Sequence, residues 1–209
     1  MTRRILFFLF LLAGLRVSAQ NRTDITVWSV GSLVDNTQIQ TGSGTNGLFF
    51  KQKPGFGLSF NRYWNDHLST EVSYMTFRGN MNYASTYTDA QARLGELEAR
   101  TITTMAQWHF RTGMRVTPYL SGGIAHISGD FDPVRIISVL PTDQPSIELE
   151  SNVTWTAAAG LDINLTDRWA LSLEAKRVPW NAVQTGGTYE HDGVDIDPML
   201  WGSGVRYRF

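Results

Sequence analysis

Cysteine is absent from the 209 residues, so neither a disulfide scaffold nor a thiolate metal site is available to this chain. Net charge is close to zero, with 18 Lys and Arg against 19 Asp and Glu, which leaves no electrostatic basis for a nucleic-acid partner. Proline is sparse at seven, and each falls in a segment that reads as a loop or near a strand start, where no ladder donor is lost in mid-sheet. Long apolar runs are nearly absent too: after Leu15, charges or glycines interrupt every hydrophobic stretch, so no later segment reads as a membrane-spanning helix. Helical periodicity is scarce. Together with 19 glycines and 12% aromatic residues, this points to an all-β chain.

The one long apolar run, Ile5 to Leu15, follows Arg3 and Arg4 and leads to the small residues Ser18 and Ala19. That is the pattern of a secretory signal peptide over 1–19, with cleavage expected after Ala19; a spanning helix needs about 20 apolar residues, and this run is shorter. Residues 20–209 then form one exported domain.

Within that domain, period-two alternation recurs. "GFGLSFNRYWNDHLSTEVSYMTF" puts Phe56, Leu58 and Phe60 on one face, turns at Asn65-Asp66-His67, and returns with Leu68, Thr70, Val72 and Tyr74 opposite Ser69, Glu71 and Ser73. "TITTMAQWHF" sets Ile102, Thr104, Ala106, Trp108 and Phe110 against Thr103, Met105, Gln107 and His109. "VTWTAAAGLDINL" sets Val153, Trp155, Leu161, Ile163 and Leu165 against Thr156, Ala158, Gly160, Asp162 and Asn164. "WALSLEAK" sets Trp169, Leu171, Leu173 and Ala175 against Ala170, Ser172, Glu174 and Lys176. With a strand over Asp24 to Leu33, one over "PYLSGGIAHI" and a final one from about Val194, the count is eight.

The connections alternate in length. Those at 65–67, 112–117 and 166–168 are short; the segments 34–53, 79–98, 128–151 and 179–193 are long, polar and rich in Gly, Asn, Asp and Pro. An even number of amphipathic strands with alternating short and long connections is the signature of an eight-stranded antiparallel transmembrane β-barrel of the outer membrane, with short periplasmic turns and long extracellular loops. A soluble sandwich would have to place the charged faces in a dry core, at high cost. In a lipid-embedded barrel the apolar faces meet lipid and the charged faces meet each other, and a Lys or Arg facing lipid at midplane costs about 2–4 kcal/mol. The expected lumen-lining residues are therefore Glu71, Met105, Gln107, His109, Asp162, Glu174, Lys176 and Arg206, with Met105 in the outer part of the lumen. Aromatic girdles are expected from Trp64, Trp108, Phe110, Trp169, Tyr207 and Phe209 at the periplasmic side and from Tyr74, Trp155 and Trp180 at the outer side.

Three stretches resemble the OmpW family of small outer-membrane barrels: "MAQWHF" with "VTPYLSGGIAHI", "AAAGLDINLTDRWALSLEAKRV", and "VDIDPMLWGSGVRYRF". The resemblance implies a narrow, partly hydrophobic channel for passive diffusion or binding of small hydrophobic solutes, in the outer membrane of a Gram-negative bacterium, in contact with lipid and lipopolysaccharide. The alternative is a closed structural or surface-interaction barrel of the OmpA/OmpX type, acting through its loops. A lipid A-modifying enzyme comes third: His126-Ile127-Ser128 is similar to a deacylase His-x-Ser pair, but those enzymes carry it on the penultimate strand, where this chain reads "EAKRVPWN". No catalytic residue, cofactor or metal is expected. The acidic run Glu190, His191, Asp192, Asp195 and Asp197 lacks an EF-hand pattern, and Ala90, Leu94 and Leu97 have the spacing of a short helix or of a strand extension.

The C-terminal Gly204, Tyr207 and Phe209 resemble the signal read by the outer-membrane assembly machinery, an expected partner. Deleting Phe209 is expected to block membrane insertion while costing a soluble fold little. Immunoblotting of fractionated membranes checks this, and normal outer-membrane levels of the truncated protein would remove that role from Phe209.

Overall fold

The computed structural model describes residues 22–33, 37–41, 44–85, 90–110, 114–133, 148–182, 184–185, 194–195 and 197–209. Among them there is no helix. The alternating segments form β1 (Thr23–Leu33), β2 (Gly55–Tyr63), β3 (Leu68–Ser85), β4 (Ala90–His109), β5 (Val116–Pro133), β6 (Glu148–Asn164), β7 (Trp169–Arg177) and β8 (Met199–Arg208). Each strand pairs antiparallel with the next, and β1 pairs with β8 from Asp24↔Arg208 to Leu33↔Met199, so the eight-stranded sheet closes into a barrel. Closure gives every strand a partner on both sides, which removes the unpaired edge that hydrocarbon does not tolerate.

The residue period sorts the two faces. On β7 the burial alternates strictly, with Trp169, Leu171 and Leu173 exposed and Ala170, Ser172, Glu174 and Lys176 buried. The exposed wall continues through Val27, Phe56, Leu58, Phe60, Ile102, Leu120, Ile124, Trp155 and Val205. No soluble protein leaves so many large apolar side chains outward in one band; a hydrocarbon surround accounts for it.

Local side-chain caps fix the short turns. Asn65 Oδ1 accepts from the backbone N–H of His67 and of Leu68, both at 2.8 Å. Thr166 Oγ1 accepts from Arg168 N at 3.3 Å and Trp169 N at 3.0 Å. Both residues bond their own backbone two and three positions on, which makes a tight reversal local. The same end of the barrel carries an aromatic series: Trp169 against Tyr207 (centroids 4.8 Å apart) and Tyr207 against Phe209 (5.0 Å). There the Phe209 N–H donates to Thr23 O at 3.0 Å.

The structure corrects four expectations. Segment 79–98 is largely strand, with β3 and β4 paired to Ser85↔Ala90, and the described parts of 128–151 are strand too, since β5 reaches Pro133 and β6 begins at Glu148. The helix-like spacing of Ala90, Leu94 and Leu97 therefore belongs to a strand, in which the buried residues Gly95, Leu97 and Ala99 follow period two. Segment 34–53 is also partly strand, since Gly44–Lys53 continues β2 outward across Pro54 along β3. The last barrel strand starts at Met199, because Pro198 has no N–H for the ladder; Val194–Asp195 pairs separately with Asn181–Ala182. Trp180, placed by sequence in the outer girdle, is fully buried inside the barrel. The expected signal segment 1–19 and Glu190, His191 and Asp192 lie outside the described residues.

Two adjacent glycines on β5 separate the faces sharply. A Cβ on the inward Gly123 would sit 2.0 Å from Thr104 O and 2.7 Å from Met105 Cα, both backbone, whereas one on the outward Gly122 would find its nearest neighbour at 4.0 Å. Gly122→Ala is expected to leave the urea midpoint of the barrel in lipid vesicles unchanged or raised, and Gly123→Ala to lower it clearly. Equal effects would contradict this register.

Candidate functional site

All eight side chains assigned to the lumen from sequence lie on the inner face, each at 5% exposure or less. They gather in the half of the barrel that carries the short turns and both strand termini, β1's start and β8's end.

Two buried cations organise this half, and each stands between two carboxylates. Arg206 contacts Asp162 through Nη1 at 2.5 Å, faces Asp24 at 3.9 Å, and donates to Tyr63 Oη at 3.2 Å and Thr26 Oγ1 at 3.1 Å. Ser172 donates to the same Asp162 at 2.7 Å. Lys176 lies 3.1 Å from Glu174 and 3.4 Å from Glu71, and donates to Ser73 Oγ at 3.2 Å. Tyr119 Oη donates to Glu174 at 3.0 Å and its ring stands 5.9 Å from the Arg206 guanidinium, joining the two clusters. Gln107 extends the network: its amide donates to Glu71 at 2.9 Å and its carbonyl accepts from Asn61 at 2.7 Å. His109 reaches Ser69 Oγ at 2.8 Å, between the rings of Tyr63 and Tyr119. Alternation across all eight strands brings these groups together, since every second residue of each strand points inward.

Below this floor opens a vestibule of about 410 Å³, bordered by Tyr63, His109, Asp162, Asn164 and the arginines Arg22 and Arg208. It reaches Asp162 but not past the fully buried Arg206.

The other half of the interior is different. Trp28, Val30, Met75, Phe77, Ile127, Val178, Trp180 and Leu200 form one apolar cluster with Ala99 and Ala125. Trp180 reaches across to β5, where a Cβ on Gly129 would lie 2.6 Å from its ring. Sequence reading missed this apolar cluster, because the inner faces were taken as polar throughout. Met105 is corrected with it: it pairs in register with Glu71 and Gly123 and lies beside the ionic floor rather than in the outer lumen. His126 is exposed on the outer wall, and Ser128 shares its face, so this His-x-Ser pair points away from the interior.

The pairing of β6 with β7 stops at Ala157↔Arg177, and the next partner of β6 on that side is Gln184, opposite Leu149. Among the described residues, Asn152 to Thr156 pair through β5 alone. Pro179, beside this gap, has no N–H to offer it.

A closed antiparallel barrel with an apolar outer wall and an ion-paired interior is an integral barrel of the outer membrane. The chain belongs to the outer membrane protein beta-barrel domain family, whose model matches residues 7–209. No curated protein matches it in sequence. Among solved structures it is similar to outer membrane protein OprG from Pseudomonas aeruginosa, at 15% identity and TM-score 0.70, covering 90% of this chain and 96% of that one. It is also similar to outer membrane protein AlkL, at 15% identity and TM-score 0.59, covering 94% of each chain. Ail, the attachment invasion locus protein of Yersinia pestis, follows at 15% identity and TM-score 0.52, covering 91% of this chain and 99% of that one. At these identities the likeness is one of fold.

Removing one partner of a buried ion pair leaves an unpaired charge and costs about 3–5 kcal/mol. Arg206→Met is expected to destabilise the barrel by about that amount, and Arg206→Met with Asp162→Asn by less than the two single changes together. Urea unfolding in lipid vesicles measures the cycle; strict additivity would mean that the pair does not act as a unit.

Proposed function

We propose that this barrel takes up small hydrophobic solutes through its outer half and releases them sideways into the membrane, without conducting ions. The observation that carries the reading is the division of the interior into an ion-paired floor and an apolar chamber. An apolar solute meets mainly apolar side chains in the chamber, with Ser32 and Thr101 the buried hydroxyls among them, and the unpaired stretch of β6 lies beside Val178 and Trp180, which line it. Displacing Trp180 joins the chamber to that gap. The reading orients both strand termini toward the periplasm and the extended rims of β3 to β5 outward. It agrees with the resemblance to the OmpW family and with export by a cleaved signal peptide in a Gram-negative bacterium.

The second reading is a closed barrel acting through its loops. The filled interior favours it, since the floor and the packed Trp180 leave the chamber shut in this conformation.

Reconstituted vesicles separate the two. Under the uptake reading, Lys176→Ala raises ion conductance while leaving uptake of a fluorescent hydrophobic solute nearly unchanged. Trp180→Ala raises that uptake, and Ala99→Phe, which fills the chamber, lowers it. If the wild type shows no uptake above empty vesicles and neither chamber variant changes it, the surface-interaction barrel takes its place.

A further inference from the structure

The outer wall is not uniform where the apolar band ends. On β3, the outward residues run Val72, Tyr74, Thr76 and then Arg78; on β4, Ile102 is followed outward by Arg100 and Glu98; on β5, Ile124 and His126 lead to Ser128 and Asp130. The registers place these groups side by side, with Arg78 opposite Glu98, Arg100 opposite Ser128, and Glu98 opposite Asp130. On the opposite wall the band runs out through Val153, Met199 and Leu33, all exposed and uncharged, and Arg177 there is held by Asp197 at 2.9 Å. Among the described residues the clustered charge at this height lies on the β3–β5 side.

Its cations are loosely held. Arg78 lies 3.5 Å from Glu98, and Arg100 lies 3.7 Å from Glu98 and 3.4 Å from Asp130. Charge-assisted hydrogen bonds close to about 2.7–2.9 Å, so none of these is a formed guanidinium–carboxylate fork. Both arginine side chains are close to half exposed, at 43% and 49%, and exposed pairs contribute about 0–1 kcal/mol. Two guanidinium groups thus share Glu98 without either being satisfied by it. The neighbouring Glu96 is different: a hydrogen bond from Lys53 at 2.8 Å holds its carboxyl below the usual range and Arg93 lies 3.3 Å from it, so Lys53 and Arg93 are engaged there, whereas Arg78 and Arg100 stand in the loosely held pairs.

We infer that Arg78 and Arg100 form a docking site for a phosphate group of lipid A on the β3–β5 wall. The position selects the ligand. The site faces sideways from the barrel, at the boundary where the wall turns from apolar to charged, so its occupant must place acyl chains along Ile102 and Ile124 and an anion beside the arginines. A planar guanidinium pairs with phosphate oxygens two at a time, and a phosphate shared between two arginines replaces the loose contacts to Glu98 with charge-assisted bonds. On the opposite wall, Arg177 is already held by Asp197. The inference rests on the proposed orientation for its place in the cell, but binding to purified protein does not depend on it.

Native mass spectrometry of the refolded chain, titrated with bisphosphorylated lipid A and with its dephosphorylated counterpart, tests the site. The wild type is expected to prefer the phosphorylated lipid by about tenfold or more, since each arginine at a charged lipid surface contributes about 1 kcal/mol. Arg78→Ala with Arg100→Ala should abolish that preference, and Arg177→Ala should not change it. Glu98→Gln should strengthen binding about threefold by releasing both arginines, a gain that misfolding cannot mimic. Heat-modifiable gel mobility confirms that each variant folds. Equal binding of the two lipids, unchanged preference in the double variant, or complete displacement by equimolar inorganic phosphate would each overturn the inference, the last by showing a free-phosphate site instead.

Discussion

Everything in this molecule follows from the need to satisfy backbone N–H and C=O groups where no water can reach them. The pairing of β1 with β8 meets that need by closing the sheet on itself. Closure forces each strand to face lipid with one set of alternate residues and the interior with the other. The outer set is therefore free to be as apolar as Phe56, Leu58 and Trp155, while the inner set must find partners within a space only a few side chains wide. The unpartnered stretch of β6 above Ala157 is the longest described departure that lies beside the apolar interior.

The interior meets its own constraint in two ways. Near the termini it is charged, and each of its two cations, Arg206 and Lys176, is flanked by two carboxylates and bonded to hydroxyl groups. Such a cluster contributes little net stability relative to apolar packing, yet losing one member is costly, so it holds a fixed geometry. Away from the termini the interior is apolar and packed around Trp180 and Phe77. The two regions share walls but differ in chemistry: one is ion-paired and the other apolar.

Much of this was legible in the sequence because lipid imposes a sharp pattern. Wherever a strand crosses hydrocarbon, period two separates Leu171 from Ser172 and Trp108 from Gln107, and the strands, their faces and the buried floor residues could be read directly. Beyond the hydrocarbon the pattern fades, since water accepts either face. That is why the outward reach of β3, β4 and β5 passed for loop. Axial depth was equally hidden: Met105 was assigned to the inner face correctly but to the wrong level, because one strand's period carries no information about stagger between strands. Trp180 was misplaced for a chemical reason. An indole suits both a membrane interface and an apolar interior, and only the break at Pro179 and the space beside Gly129 decide between them.

The seam between β1 and β8 also sets a timetable. It joins Thr26 to Arg206, 180 positions apart in the chain. Those contacts cannot form until the last strand has been delivered, and until then the growing sheet has two open edges and an uncovered apolar face. Fold closure of such high contact order is slow, and the waiting chain is prone to aggregate. The same bond pattern that makes the finished barrel complete thus makes its unfinished form dependent on being held apart from its neighbours in transit.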